Sequence, residues 1–396
     1  MKVLHLNEHL ANKGGVETYM QGLLPMLRDR GIDVAWVHDH PAETSVVRSI
    51  QVKGIGKPGF RYQGEVRARI RELLEREKPD LVHLHNFQNV GVAQACLDLV
   101  PTVMTTHDYR SVCPANSFFY KRTQEICQKD RVGLGCFSTT VRKRCLTMRP
   151  QYASYYYYRS NWMLLQAHRF ASVVAPSTGA QDRLLRAGYP TERTTVIPYF
   201  CPLKPAPEPR PLPERTTITF IGRIAPNKGQ EFFVEALGKL PASVTGVMVG
   251  SFSNGAEETI RGLAVANGCA DRLQLRKWAD RATLLKIVDE TTLLIFPSLW
   301  PETLGIVGLE AMSRGVPVVA SDVGGVREWL DDRKNGVLVP AKSADKIRDA
   351  VLDLTSDRNV LMAYGQRAIQ TINDRFLPET HVDRLLGVYE DVAGRV

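Results

Sequence analysis

The chain has no apolar run near the ~18 residues that a membrane-spanning helix needs. Its first residues also lack a signal-peptide pattern, because Lys2-Val3-Leu4-His5-Leu6 is cut short by Asn7 and Glu8. Both absences lead us to expect a cytoplasmic protein. No Asp-x-Asp pair occurs, so no metal site of that type is expected in catalysis. None of the seven cysteines stands in a Cys-x-x-Cys pair, which weakens any metal or redox signal they carry. There is no internal repeat and no long low-complexity tract, which argues against solenoids and disordered tails.

What is present is an ordinary globular composition, 44% apolar over 396 residues. A single core rarely grows that large, so two domains are expected. Residues 201–215 contain six prolines, which favour extended backbone and read as a linker. On both sides short apolar stretches alternate with amphipathic ones, the pattern of βαβ units and parallel sheets. Strands are expected near 2–6, 32–37, 80–84, 102–105, 172–175 and 194–197, then near 216–221, 246–250, 272–275, 292–296, 317–320 and 336–339. The expected boundaries are an N-terminal domain 1–203 with an insertion at 110–150, a linker 204–215, a C-terminal domain 216–378 and a last helix within 379–396. Ligands of such sheets bind at the carboxyl ends of the strands.

Charge is unevenly spread. Residues 1–200 hold 27 Lys and Arg against 17 Asp and Glu, while residues 201–396 hold 24 against 25. The basic excess of the first half suits nucleic acid, anionic lipid or a phosphate-bearing substrate, or is a solvated surface. Arg142, Lys143, Arg144 and Arg149 are its densest cluster.

The richest segment is Phe296 to Gly325, FPSLWPETLGIVGLEAMSRGVPVVASDVGG. Pro297 and Pro301 end a strand, a helix is expected from about Thr303 to Arg314, and Gly315-Val316-Pro317 stops it. Glu302 then precedes a helix start, and Glu310 lies two turns on, on the same face. Free backbone N–H groups at a helix start favour an anion, and carboxylates bind sugar hydroxyls. Upstream, Gly222-Arg223 and Lys228-Gly229 lie in FIGRIAPNKGQ, where an arginine and a lysine in one loop can hold two phosphates. Near the start, Asn12-Lys13-Gly14-Gly15-Val16-Glu17-Thr18 places two glycines before a helix, which opens the backbone to a close ligand or makes only a tight turn. His107 follows the strand near 102–105, with Asp108 beside it.

Together these segments resemble the retaining family 4 glycosyltransferases (glycosyltransferase group 1), which have the GT-B fold. The resemblance implies an α/β architecture of two Rossmann-like doubly wound domains facing a central cleft. It implies that Glu310 binds the ribose of a nucleotide-sugar, that Glu302 binds the transferred sugar, and that Arg223 and Lys228 hold the diphosphate. Gly14, Gly15, Gly222, Thr303, Leu304, Gly305 and Ile306 would complete the donor site, and His107 would contact the sugar. Glu17 stays open. The catalytic set is then His107, Arg223, Lys228 and Glu302, with no cofactor needed for catalysis. The last helix would return to the first domain. Two departures stand out. Ile197-Pro198-Tyr199-Phe200-Cys201 replaces an asparagine-glycine turn, and Thr303-Leu304 replaces a glycine and an aromatic.

Cys113, Cys127, Cys136 and Cys145 fall within one stretch of 33 residues in an insertion expected to be irregular. A long irregular segment needs a staple. A structural zinc, two disulfides and free thiols are the alternatives, with an iron–sulfur cluster a further one. Tyr152, Tyr155, Tyr156, Tyr157, Tyr158, Arg159 and Trp162 follow, a mixture that suits a membrane interface, a lipid-linked acceptor, or packing against the insertion.

The reading is a retaining hexosyltransferase that moves a sugar from a nucleotide diphosphate-sugar to a glycan or lipid-linked acceptor in polysaccharide or glycolipid synthesis. It would be cytoplasmic, with peripheral contact at the anionic inner face of the plasma membrane. The alternatives are another nucleotide-sugar enzyme of this fold, such as an epimerase, and a zinc-dependent nucleic-acid-binding protein. The set of Arg223, Lys228, Glu302 and Glu310 argues against a nucleic-acid partner.

Overall fold

The computed structural model describes residues 1–10, 14–40, 45–252, 255–278 and 281–394, with the backbone alone for 281 and 282. Asn12, Lys13 and Arg395 lie outside the described residues. The chain forms two compact units. One contains Met1–Thr123, Cys127–Pro202 and Pro378–Val396, the other Gln124–Ile126 and Leu203–Leu377.

The first unit is built on a seven-stranded sheet in the order Arg48–Gln51, Asp33–His38, Lys2–Leu6, Leu81–Leu84, Thr102–Thr105, Ser172–Ala175, Thr194–Val196. Every pairing is parallel. Leu81–Leu84 and Thr102–Thr105 are buried at all four positions, as strands covered on both faces must be. The helix Gly15–Asp29 buries Tyr19, Met20, Leu23, Leu24 and Leu27, one stripe of a 3.6-residue period. Strand order reverses between Lys2–Leu6 and Leu81–Leu84, so their carboxyl ends diverge into a crevice.

The second unit has six parallel strands in the order Leu273–Lys277, Thr245–Gly250, Thr217–Ile221, Leu293–Phe296, Val318–Ser321, Gly336–Val339. Its core joins sheet residues such as Ile218, Met248, Leu293 and Val319 to helix residues such as Phe233, Leu237, Ile347 and Val351. Order reverses between Thr217–Ile221 and Leu293–Phe296. The two loops rich in candidate residues leave the sheet at that point.

All twelve expected strands are present. The strand Arg48–Gln51 was not expected, because it is a largely exposed edge with no apolar run to betray it. The insertion is less irregular than expected and contains a helix, Leu134–Lys143. The helix expected from Thr303 begins later, as Ile306–Ser313 with Gly305 at its N-cap. Residues 302–305 are held instead by tertiary bonds. Gly325 N–H donates to the Glu302 carbonyl at 2.7 Å, and Trp329 Nε1 donates to the Leu304 carbonyl at 2.7 Å.

The proline-rich stretch packs on the second unit. Ala206 N–H donates to the Ser313 carbonyl at 2.8 Å, and Arg358 donates to the carbonyls of Leu212 and Pro213 at 3.1 and 3.3 Å. The last helix, Pro378–Ala393, groups with the first unit and buries His381, Val382, Leu385, Tyr389 and Val392 there.

The tyrosine run forms the helix Pro150–Leu165 and turns inward. Tyr155 is fully buried, and its hydroxyl accepts from Val90 N–H at 2.9 Å. Arg159 is buried too, donating to Gln88 Oε1 at 2.6 Å and Asn116 Oδ1 at 2.5 Å. Packing, rather than an exposed aromatic belt, accounts for most of this segment.

Candidate functional site

In the second unit the site is built on Glu302. Its side chain is buried, so its charge needs compensation. Lys228 Nζ supplies it at 2.6 Å, and the Ser298 hydroxyl donates to the same oxygen, Oε1, at 2.6 Å. The Lys228 ammonium also lies 5.3 Å from the ring centre of Trp300 and 5.9 Å from that of Phe296. The backbone is fixed as firmly. A Cβ on Gly324, whose φ is +53°, would come within 2.3 Å of the Glu302 carbonyl and 2.5 Å of its nitrogen. Leu299 N–H donates to the Asn227 carbonyl at 2.9 Å, which ties the loop carrying Lys228 to the loop carrying Glu302.

Around this pair the other expected residues are distributed unevenly. Arg223 is exposed on the loop after Thr217–Ile221 and has no ion-pair partner among the described residues. Gly222 N–H donates to the Val249 carbonyl at 3.0 Å. Thr303 and Leu304 are buried, while Gly305, Ile306 and Glu310 are half-buried. Glu310 lies on the helix Ile306–Ser313 and Glu302 before it, so the two carboxylates do not share one helix face.

In the first unit Gly14 and Gly15 are exposed at the start of the helix Gly15–Asp29. Glu17 points inward and accepts from Asn7 Nδ2 at 3.2 Å. Burial pushes its carboxyl pKa up. Nearby, Arg110 donates to Asp108 at 2.8–3.1 Å and lies 3.5 Å from Glu8. Burial opposes ionisation of Asp108, yet the charge and hydrogen bonds of Arg110 keep its pKa below the usual carboxylate value.

His107 is buried with both ring nitrogens engaged. Nε2 is 2.9 Å from His85 Nδ1, and Nδ1 is 2.6 Å from the Tyr199 hydroxyl. The line continues from His85 Nε2 to His5 Nδ1 at 3.0 Å. Beside it, His83 meets Tyr389 at 2.5 Å and Thr105 at 2.7 Å, and Tyr19 meets His381 at 2.8 Å. His107 thus ends an internal hydrogen-bond chain. To bond a sugar hydroxyl through nitrogen it would have to exchange one of these partners. His5, His83 and His85 are the one set of three metal-capable side chains whose ligand atoms converge within 4.8 Å among the described residues. Five of their six ring nitrogens already serve the chain, His5 Nε2 being the exception, and a metal held by all three would displace some of those bonds.

Sequence reasoning missed Ser298, His85, Tyr199, Glu8 and Arg110. Ser298 stood in the quoted FPS triplet and Tyr199 in the noted departure at 197–201, but neither segment names a partner. Those partners lie 4 to 92 residues away, at Glu302 and His107.

Two parallel-sheet α/β units, each with its candidate residues at a switch point, define the GT-B class. Comparison with solved structures agrees. The chain matches Anabaena HepE in complex with UDP-glucose at a TM-score of 0.74 with 19% identity, covering 98% of this chain and 99% of that one. It matches sucrose-phosphate synthase from Thermosynechococcus elongatus at a TM-score of 0.75 with 18% identity, over 100% of both chains.

Sequence comparison is more specific. The profile for Glycosyltransferase Family 4 matches residues 13–203, and that for Glycosyl transferases group 1 matches residues 206–371. The protein belongs to this glycosyltransferase family, as its motifs implied. Among curated relatives, an α-D-kanosaminyltransferase of Streptomyces kanamyceticus is 28% identical over 46% of this chain and 47% of its own. A GDP-mannose-dependent α-(1-6)-phosphatidylinositol monomannoside mannosyltransferase of Mycobacterium tuberculosis is 31% identical over 50% of this chain and 52% of its own. The chain spans about half the length of the curated relatives it matches.

The ion pair yields a first prediction. Lys228→Ala leaves the Glu302 carboxylate buried without its cation, at a cost of about 3–5 kcal/mol. Adding Glu302→Gln should recover part of that loss. A calorimetric double-mutant cycle with strictly additive values would contradict the coupling.

The histidines yield a second. Burial depresses His5 and His107 to about 3 and His381 to about 4, and holds His83 and His85 well below their usual value. In the unfolded chain each takes a proton near pH 6.5. As pH falls below 6.5 the unfolded state gains protons that the folded state refuses, so stability declines. Each histidine contributes up to about 1.4 kcal/mol per pH unit over that range. Glu17 acts in the opposite sense, one group against five. The thermal midpoint of the first unit should fall steadily from pH 6.5 to 4.5, and a flat profile there would refute neutral burial.

Proposed function

We propose that the protein is a retaining glycosyltransferase that moves a hexose-type sugar from a nucleotide diphosphate-sugar to a hydroxyl of a glycan or lipid-linked acceptor. The observation that carries this reading is the Lys228–Glu302–Ser298 constellation at the switch point of the second sheet, with exposed Arg223 on the adjoining loop. Transfer releases a nucleoside diphosphate, and charge develops on its phosphate oxygens as the glycosidic bond breaks. Arg223 and Lys228 are fixed cations for that charge. Glu302 accepts hydrogen bonds from hydroxyls of the sugar, which holds the anomeric carbon in line with the acceptor. Glu310 takes the ribose hydroxyls. Residues 14 and 15 offer helix-start N–H groups to the diphosphate. Retention places the acceptor hydroxyl on the face that the diphosphate leaves, and no cofactor is assigned to catalysis.

The complexes of Anabaena HepE with UDP-glucose and with UDP support a donor of this class. The GDP-mannose-dependent relative, which acts on a phosphatidylinositol mannoside, extends the range of nucleotides and supports a lipid-linked acceptor. The basic first half of the chain suits such an acceptor.

A panel of nucleotide-sugars tested by titration calorimetry should reveal one that binds the wild type. Glu310→Ala should weaken it by about 1.5–3 kcal/mol, the worth of charge-assisted hydrogen bonds to the ribose. Arg223→Ala should lower turnover on the order of 100-fold with little change in folding. Unchanged affinity in the first variant and unchanged turnover in the second would sink the donor assignment.

Work at a cytoplasmic membrane surface belongs to the same proposal. Its motivation is the helix Leu134–Lys143, where Leu134, Phe137 and Val141 are exposed at helical spacing. Arg142, Lys143 and Arg144 follow them directly. Apolar side chains on one face with adjacent cations suit anionic headgroups, at about 1 kcal/mol for each cation near the surface. The protein should pellet with anionic vesicles at low salt, and a Leu134→Ser, Phe137→Ser variant should pellet several-fold less. Equal pelleting with neutral and anionic vesicles, or none with either, rejects membrane docking.

A further inference from the structure

The insertion after His107 brings together four cysteines that are 32 residues apart in sequence at their extremes, Cys113 and Cys145. Cys113, Cys127, Cys136 and Cys145 line one cavity of the first unit, together with Tyr120, Thr140, Lys129 and Arg131. The other three cysteines are elsewhere. Cys96, Cys201 and Cys269 are buried as ordinary core residues, Cys269 in the second unit.

Hydroxyl groups lie against three of the four sulfurs. The chain after Cys113 takes left-handed backbone at two non-glycine residues, Asn116 at φ +63° and Phe118 at φ +46°. Such conformations carry a strain cost and persist where the surroundings over-determine them. The Tyr120 hydroxyl donates to Cys127 Sγ at 2.9 Å, and the Tyr157 hydroxyl donates to Cys136 Sγ at 3.5 Å. Thr140 Oγ1 lies 3.4 Å from Cys145 Sγ and 2.5 Å from the Tyr157 hydroxyl. A neutral thiol accepts hydrogen bonds weakly, whereas a metal-bound thiolate is ordinarily surrounded by them.

Four thiolates around one divalent ion leave a net double negative charge. Residues 110–150 hold nine Lys and Arg against two Asp and Glu, an excess of the right sign to balance it.

We propose that Cys113, Cys127, Cys136 and Cys145 form a structural zinc site that staples the insertion. Closed tetrahedral sets of four thiolates are typical of structural zinc, with zinc–sulfur bonds of about 2.3 Å. No three of these sulfurs converge within 4.8 Å without the ion, so binding draws the four onto a common centre and releases their protons. Three ligands come from loops and one, Cys136, from the helix Leu134–Lys143, so the ion would fix that helix against the rest of the insertion. The site uses none of the residues assigned to the donor.

The test is elemental analysis of protein produced with added zinc and purified without chelator. We expect about one zinc per chain, and X-ray absorption showing sulfur ligation only. Cys136→Ser should reduce the content to near zero, while Cys269→Ser should leave it unchanged. Should Cys136→Ser fail to fold, the wild type decides. Stripping with a strong chelator should open residues 110–150 to limited proteolysis and make four more thiols reactive, and added zinc should reverse both. The proposal is overturned by wild-type protein without zinc, by iron in its place, by disulfides among the four cysteines on mass analysis, or by zinc that persists in Cys136→Ser.

Discussion

A buried carboxylate constrains the second unit more than any other group. Glu302 is out of water, and a charge in that position survives only with a partner. Its ammonium partner, Lys228, must arrive from a different loop, 74 residues earlier, and the serine that shares its oxygen comes from the strand end before it. Both loops therefore have to leave the sheet at neighbouring strands, Thr217–Ile221 and Leu293–Phe296. That neighbourhood is the point at which a 3-2-1-4-5-6 sheet reverses direction. Gly324 lets the following turn close on the Glu302 backbone, where a side chain would collide. The pair clamps the two loops together at the switch point of the sheet.

The first unit solves a different problem. Five histidines and three tyrosines, Tyr19, Tyr199 and Tyr389, sit in its interior, and burial outweighs the one neighbouring carboxylate, Asp108 beside His107, in keeping the rings neutral. Hydrogen bonding among neutral rings satisfies most of the polar atoms. Pro378–Ala393 takes part, since His381 and Tyr389 supply two of the contacts. The last helix is thus tied to this unit by buried polar contacts as well as by apolar packing. The cost is sensitivity to acid, because the same rings would bind protons gladly once exposed.

The insertion is where local sequence and tertiary setting diverge furthest. Its helix Leu134–Lys143 exposes three large apolar side chains, and its only buried residue is Thr140. Such a helix gains little from apolar packing. Polar contacts to sulfur join it to its surroundings, Tyr157 to Cys136 and Thr140 to Cys145. Of the tyrosines that looked like a membrane belt, Tyr157 makes one of these contacts, while Tyr155 and Tyr158 bond to Val90 and Gln63 instead.

The sequence alone determined the class and most of the frame. Parallel strands buried on both faces are apolar, so the central strands of both sheets could be read directly, and the edge strand Arg48–Gln51 escaped because it is not. The residues flanking Glu302 and Glu310, from Phe296 to Gly325, were enough to suggest the family, because that motif is contiguous, and Arg223 and Lys228 fitted it from a separate loop. What only the tertiary structure decided is which of these groups are spent on one another. Lys228 is bound to Glu302, His107 is bound at both nitrogens, and the tyrosine run faces inward. Each of those outcomes depends on side chains that meet across tens of residues, where periodicity carries no information. Glu302 stands before its helix rather than on it, because bonds from Gly325 and Trp329 outweigh the local tendency to start the helix at Thr303.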